Sequence, residues 1–119
     1  MYIPQLIISV NLKLLKVGGA IVGNSNEIAT KFYNGKRLPG PTRYVIVIST
    51  HLKRNLTTEE FDAIYYHELG HYTLGHLFGN RQGISQGLKE VEADKYSISK
   101  VGANVLLSAL EKIPDIIRK

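Results

Sequence analysis

The chain has no cysteine and no tryptophan. Without thiols, disulfides are excluded, and a metal site has to be built from histidines and carboxylates. A thiol-free chain fits the cytoplasm, which is the expected compartment. Acid is scarce at one end. Residues 1–56 hold 8 Lys/Arg against the single acid Glu27, whereas residues 57–119 hold 7 Lys/Arg against 9 acids. The formal charge of +5 would attract anionic partners such as acidic peptides, nucleic acid or a lipid surface. The basic residues are scattered, however, and no nucleic-acid motif is present, so solubility is the simpler reading.

A long uncharged apolar run is also missing. Ile3 to Val22 is largely apolar but carries Gln5, Asn11, Lys13 and Lys16. A membrane span needs about 20 residues with few or no charges, so no transmembrane segment is expected. The stretch also lacks the basic start and cleavage site of a secretory signal. A core helix is the favoured reading, and a peripheral membrane helix the lesser one. At 119 residues with no composition break, the chain is expected to be one domain burying roughly two-thirds of its unfolded surface.

Within that length the hydrophobic period changes. Leu6, Ile7, Val10, Leu14 and Val17 have helical spacing, with Pro4 fit for a first turn and Gly18-Gly19 for an end. Residues 27–33 read as a short strand. Asn34-Gly35 and Pro39-Gly40-Pro41 are turn signals, and Tyr44 to Ile48 is the clearest strand. Thr57-Thr58-Glu59-Glu60 is a capping box, which predicts a helix from there to about Phe78, stopped by Gly79-Asn80. A loop follows to Gly87, then a helix over 88–101 ending at Gly102. A last helix covers 103–112, where Pro114 weakens continuation. The expected class is α+β.

His67-Glu68-Leu69-Gly70-His71 carries the chemistry. Residues four apart on a helix share one face, so the two imidazoles can meet one zinc ion. Glu68 sits beside them and can reach a water there, as a general base must. Chance produces this pattern on the order of once in a few hundred chains of this size. The context sharpens it: Phe61, Ala63, Ile64, Tyr65, Leu69, Leu74, Leu77 and Phe78 make the helix apolar nearly all round, hence buried. A buried carboxylate costs several kcal/mol, roughly, unless it is paired or near a metal. A catalytic zinc also wants a third protein ligand. Glu90 and Asp94, four apart on the next helix, supply two carboxylates. One can bind metal while the other holds a ligand imidazole by its second nitrogen.

His67-Glu68-x-x-His71 followed, after 18 residues, by Glu90-x-x-x-Asp94 resembles the gluzincin zinc peptidases. The resemblance implies a zincin-like domain with an N-terminal helix, a small sheet, an active-site helix, a second helix bearing the third ligand and a C-terminal helix. It also implies Glu90 as third ligand and Asp94 as the partner of His67. Glu92, the rival ligand, lies about 200° from Glu90 around the helix. Leu56 to Phe61, Glu90 to Tyr96 and Gly102 to Ile113 are similar to the HtpX-type and CAAX-prenyl-protease branch, over roughly residues 43–113. Those enzymes have transmembrane helices, so the chain looks more like the small soluble minigluzincins, some of which are latent zymogens.

The implied activity is hydrolysis of a peptide or protein substrate, with one zinc ion as cofactor and Glu68 as general base. Tyr96, His76 and Arg81 are the candidates for stabilising the oxyanion. His51 is expected at the surface. The 44–49 strand is expected to pair with an extended substrate, and the segment from Ile113 to Lys119 to be either a frayed tail or a lid. The repressor-cleaving proteases of phages and mobile elements are similar over His67 to His76. Two other readings are a zinc-containing binding module without catalysis, and a nucleic-acid or membrane-surface binder using the basic half. Sequence says nothing of the oligomeric state.

Overall fold

A computed structural model describes residues 5–9, 20–38 and 40–118. The architecture is α+β, built on a mixed sheet of β1 (Gln5–Ser9), β2 (Ala20–Asn24) and β3 (Tyr44–Ser49) in the order β1-β3-β2. β1 runs parallel to β3, pairing Gln5 with Val45 through Ser9 with Ser49. β2 runs antiparallel to it, pairing Ala20 with Ile48 through Asn24 with Tyr44.

The helices are α1 (Ser25–Phe32), α2 (Thr50–Asn55), α3 (Thr58–Thr73), α4 (Gln86–Val101) and α5 (Ala103–Arg118). Alternation along β3 divides the core. Ile46 and Ile48 join Val22, Leu52, Leu56, Ala63, Ile64, Leu69, Leu106 and Ala109 on the α3 and α5 side. Val45 and Val47 face the other way, against Ile28 of α1. All four β3 side chains are fully buried, which explains a run of β-branched residues without polar interruption.

Two expectations fail at the N-terminal end. Gln5–Ser9 is a strand, whereas a helix was expected over 4–17; positions 4 and 10–17 lie outside the described residues. Leu6-Ile7-Ile8 suits either period, and the open side of β3 offers backbone partners that a local pattern does not reveal. Residues 27–33, expected as a strand, belong mostly to α1. Asn24 caps that helix by accepting from the Asn26 N–H at 2.8 Å, with Glu27 in its first turn and Lys31 in its last, both favoured by the helix dipole. It ends where Asn34 and Gly35 take positive φ of 53° and 78°. α2 is a short helix that sequence reading missed. It starts at Ser49, whose hydroxyl accepts from the His51 N–H, and it half-buries His51, expected at the surface.

The capping box forms as read. Thr57 Oγ1 accepts from the Glu60 N–H at 3.1 Å, and Glu60 Oε1 accepts from the Thr57 N–H at 2.9 Å. α3 nevertheless stops five residues before Phe78, at Thr73. Gly75 takes φ 75°, and the orphan carbonyls are closed by Gly75 N–H to Tyr72 O at 3.2 Å and His76 N–H to His71 O at 2.9 Å. That pair of bonds is a Schellman cap. The turn is then pinned to the start of β3 by Tyr44, Tyr72 and Phe78, whose ring centroids lie 5.2 to 5.7 Å apart. α4 starts at Ser85, which caps Leu88, and stops at Gly102 with φ 91°. α5 passes its expected end and continues through Pro114 to Arg118. The segment from Ile113 is thus helix as far as it is described.

α5 is tied to α3 by charge as well as by packing. The buried Glu60 accepts from Lys112 Nζ at 2.7 Å and from the Ser108 hydroxyl. The Lys112 bond, then those from Ser108 and the Thr57 backbone, lower its pKa from 4.5 to about 2. Because the folded value lies below the unfolded one, this contribution is complete above pH 4.5 and is lost as pH falls toward 2. Glu60→Gln is expected to lower unfolding stability at neutral pH by about 2 kcal/mol. It should also flatten the acid limb of the stability curve, read by urea unfolding at a series of pH values. A variant losing stability with acid as steeply as the parent would remove Glu60 from this role.

Candidate metal centre

α3 and α4 are neighbours along most of their length, and they approach closely for a local reason. Gly70 has no side chain where the Tyr96 ring crosses α3. A Cβ there would stand 3.0 Å from Tyr96 Cβ and 3.2 Å from two ring carbons. Ser97, fully buried on α4, donates to the Ala63 carbonyl at 2.7 Å and fixes the register of the pair.

This packing brings His67, His71 and Glu90 together. His67 Nε2 and His71 Nε2 lie 3.2 Å apart. Glu90 Oε2 is 3.0 Å from the first, and Oε1 is 3.3 Å from the second. One donor atom from each residue falls within a 4.8 Å cluster, a geometry able to hold a metal ion. The imidazoles are mostly buried, at 14% and 10% side-chain exposure, while Glu90 at 46% opens to solvent. Burial, then the neighbouring His67, holds the His71 pKa well below its ordinary 6.5. His71 is therefore neutral at physiological pH, as a ligand imidazole must be.

The second nitrogen of each imidazole is also engaged. His67 Nδ1 lies 2.9 Å from Asp94 Oδ1. That carboxylate can only accept, so Nδ1 carries the hydrogen, which in the neutral ring leaves Nε2 with the lone pair a metal would need. His71 Nδ1 lies 2.9 Å from His76 Nδ1. His76 is itself buried, and its Nε2 is 2.7 Å from Glu92 Oε1. The other Glu92 oxygen accepts from Arg81.

Glu68 lies buried on α3 between the two histidines. Burial, with the nearby Glu90 charge adding to it, raises its pKa from 4.5 to about 7, against the opposing pull of His67 and the Val22 backbone N–H. A cation at the triad would draw the value down again.

The residues named from sequence therefore divide. His67, His71 and Glu90 converge, with Asp94 behind His67. Glu92, the rival ligand, turns to His76 and Arg81 and stands outside the cluster. His76 and Arg81, considered for the oxyanion, lie behind His71 on its Nδ1 side, away from the convergent Nε2 atoms. Tyr96 packs its ring over Gly70 and against the core. Sequence reading missed the link from His71 through His76 to Glu92. Its one local signal was a glycine directly before a histidine, five residues past a ligand.

Comparisons of the chain with protein-family models, with curated proteins and with solved structures find no match.

The close approach at Gly70 gives a stability test. Alanine at an interior helix position normally gains about 1 kcal/mol over glycine. Here the added methyl meets Tyr96 Cβ, which is fixed to the α4 backbone and cannot swing aside, and overpacking of this kind costs about 1–3 kcal/mol. Gly70→Ala should therefore be destabilising, and the loss should shrink when Tyr96→Gly, which removes that Cβ and the ring, is added, in a double-mutant cycle of urea unfolding. A stabilised Gly70→Ala would contradict the packing account.

Proposed function

We propose that the chain is a zinc-dependent metallopeptidase of the gluzincin kind. His67, His71 and Glu90 would hold the ion, Asp94 would orient His67, and Glu68 would act as general base on a peptide or protein substrate. The observation that carries this reading is the convergence of two imidazole Nε2 atoms and one carboxylate within 4.8 Å, beside a buried carboxyl on the same helix. The donor set fits zinc, which accepts nitrogen and carboxylate oxygen and leaves a position open when only three protein ligands are present. When bound, zinc supplies Lewis acidity, polarising the scissile carbonyl and making water a stronger acid.

The remaining work falls to the chain's own residues. Glu68 removes a proton from water in the cleft and returns it to the departing amine. Glu90 and Asp94 are 46% and 38% exposed, so the triad can be approached from solvent on the α4 side.

The strand available to an extended substrate is not the one expected. β3 is the middle strand and has partners on both sides. β2 lies at the edge; among the described residues it pairs with β3 alone, and its Val22 N–H reaches Glu68. Pairing of a substrate backbone along β2 would lay its peptide bonds beside the triad.

Protein purified without chelator, or reconstituted with zinc, is expected to hold one equivalent by metal analysis. Absence of uptake would refute the proposal. Glu68→Gln should retain the metal while lowering cleavage of a quenched-fluorescence peptide library at least about 100-fold; retained cleavage would remove Glu68 as base. Glu90→Ala should weaken zinc binding far more than Glu92→Ala, and the reverse order would transfer the ligand role to Glu92.

A further inference from the structure

The geometry points to a positioning device for His71 made of the helix-stop turn itself: His76, held by Glu92 and Arg81, fixes the ring of His71 and the nitrogen on which its hydrogen sits. The inference rests on the proposed metal site and goes beyond it, because it assigns work to three residues that would bind neither metal nor substrate.

The device begins in the backbone. In a Schellman cap the residue after the left-handed glycine donates its N–H to a carbonyl in the last helical turn, and an apolar contact usually joins the same two positions. Here the two positions are His76 and His71. Their backbones are joined by the His76 N–H to His71 O bond at 2.9 Å, and their rings by Nδ1···Nδ1 at 2.9 Å. A polar contact replaces the usual apolar one. Gly75 at φ 75° makes the turn possible, a conformation costing other residues about 1–2 kcal/mol. His76 is 2% exposed, so its ring has no solvent alternative.

Hydrogen-bond polarity follows from the outer end. Glu92 is paired with the Arg81 guanidinium through one oxygen and with His76 through the other, and a carboxylate offers only acceptors. At 2.7 Å, His76 Nε2 must therefore donate to it. In a neutral imidazole that leaves His76 Nδ1 as an acceptor, and the only hydrogen available between the two Nδ1 atoms is the one on His71. His71 is thereby held with hydrogen on Nδ1 and a bare Nε2 facing His67 and Glu90. Asp94 does the same for His67 in one step; His71 is reached through an intermediary because its Nδ1 points toward the end of α3.

The test compares His76→Asn, whose side-chain oxygen can stand in for Nδ1 as acceptor, with His76→Phe, which fills space and accepts nothing. Glu92→Ala removes the outer anchor. Zinc affinity is read by competition with a chromophoric chelator, and geometry from the visible spectrum of the cobalt(II)-substituted protein. His76→Phe and Glu92→Ala are expected to weaken zinc by about 10- to 100-fold and to alter the cobalt bands, as losses of ligand-orienting partners do, while His76→Asn stays close to the parent.

Should His76→Phe fail to fold, Glu92→Ala, a partly exposed site, decides alone. Parent-like affinity and spectrum in His76→Phe and Glu92→Ala would overturn the device and leave the metal site standing. A parent protein that takes up no zinc would overturn both. Independently, long-range proton–nitrogen NMR of the zinc-loaded protein should find His76 hydrogen-bearing at Nε2 and bare at Nδ1; hydrogen at Nδ1 would refute the relay.

Discussion

Three lone-pair donors pointed at one place are unstable neighbours unless something cationic lies between them or the donors can turn away. His67, His71 and Glu90 cannot readily turn. Each imidazole is gripped at its far nitrogen, both rings are largely buried, and the carboxylate comes from a helix whose position is set by backbone-level contact at Gly70. Most of what is unusual in the molecule serves to keep those donors convergent: a glycine inside the central helix, a serine buried at the α3–α4 contact, and a polar histidine sealed under a turn.

α3 carries two burdens at once. Ala63, Ile64 and Leu69 are part of the main core, while His67, Glu68 and His71 occupy the adjoining face. A helix that is apolar nearly all round is stabilised by tertiary packing more than by its own propensity. The sheet covers one side, α5 clamps the first turn through Glu60, and α4 closes over the rest. The polar residues thus sit in surroundings that lower the effective dielectric and sharpen their mutual interactions. The raised pKa of Glu68 and the lowered pKa of His71 have burial as their first cause, and both follow from the same enclosure.

Sequence reading captured what is periodic or local. The capping box at Thr57–Glu60, the β-branched strand at Tyr44, the glycine stop at Gly102 and the four-residue spacings on α3 and α4 are statements about neighbours along the chain. Failures came where partners are distant. Gln5–Ser9 is a strand because β3 has an open side to fill, and β2 was overlooked because Ala20–Asn24 is short and ends in a cap for the next helix. β3 was given a substrate-pairing role that only an edge strand can have, and strand order is not written in any one segment. Glu92 was weighed as a ligand because an acidic residue near Glu90 looks alike in sequence whichever way it turns; its contact with His76 spans 16 positions. The early end of α3 had a visible cause in Gly75, which competed with the more obvious Gly79-Asn80.

α4 holds Glu90, Glu92 and Asp94 on 16 residues, so one helix contributes a donor to the cluster and the anchors of both imidazoles. Any ion held by the cluster would therefore be thermodynamically linked to the docking of that helix. An ion bound only when α4 is seated would stabilise the seated form by RT ln(1 + [L]/Kd), and local opening of α4 would release such an ion and both tethers in one event. Amide-hydrogen exchange along α4 would then rise and fall with free ion concentration, making the helix a reporter of its own cargo.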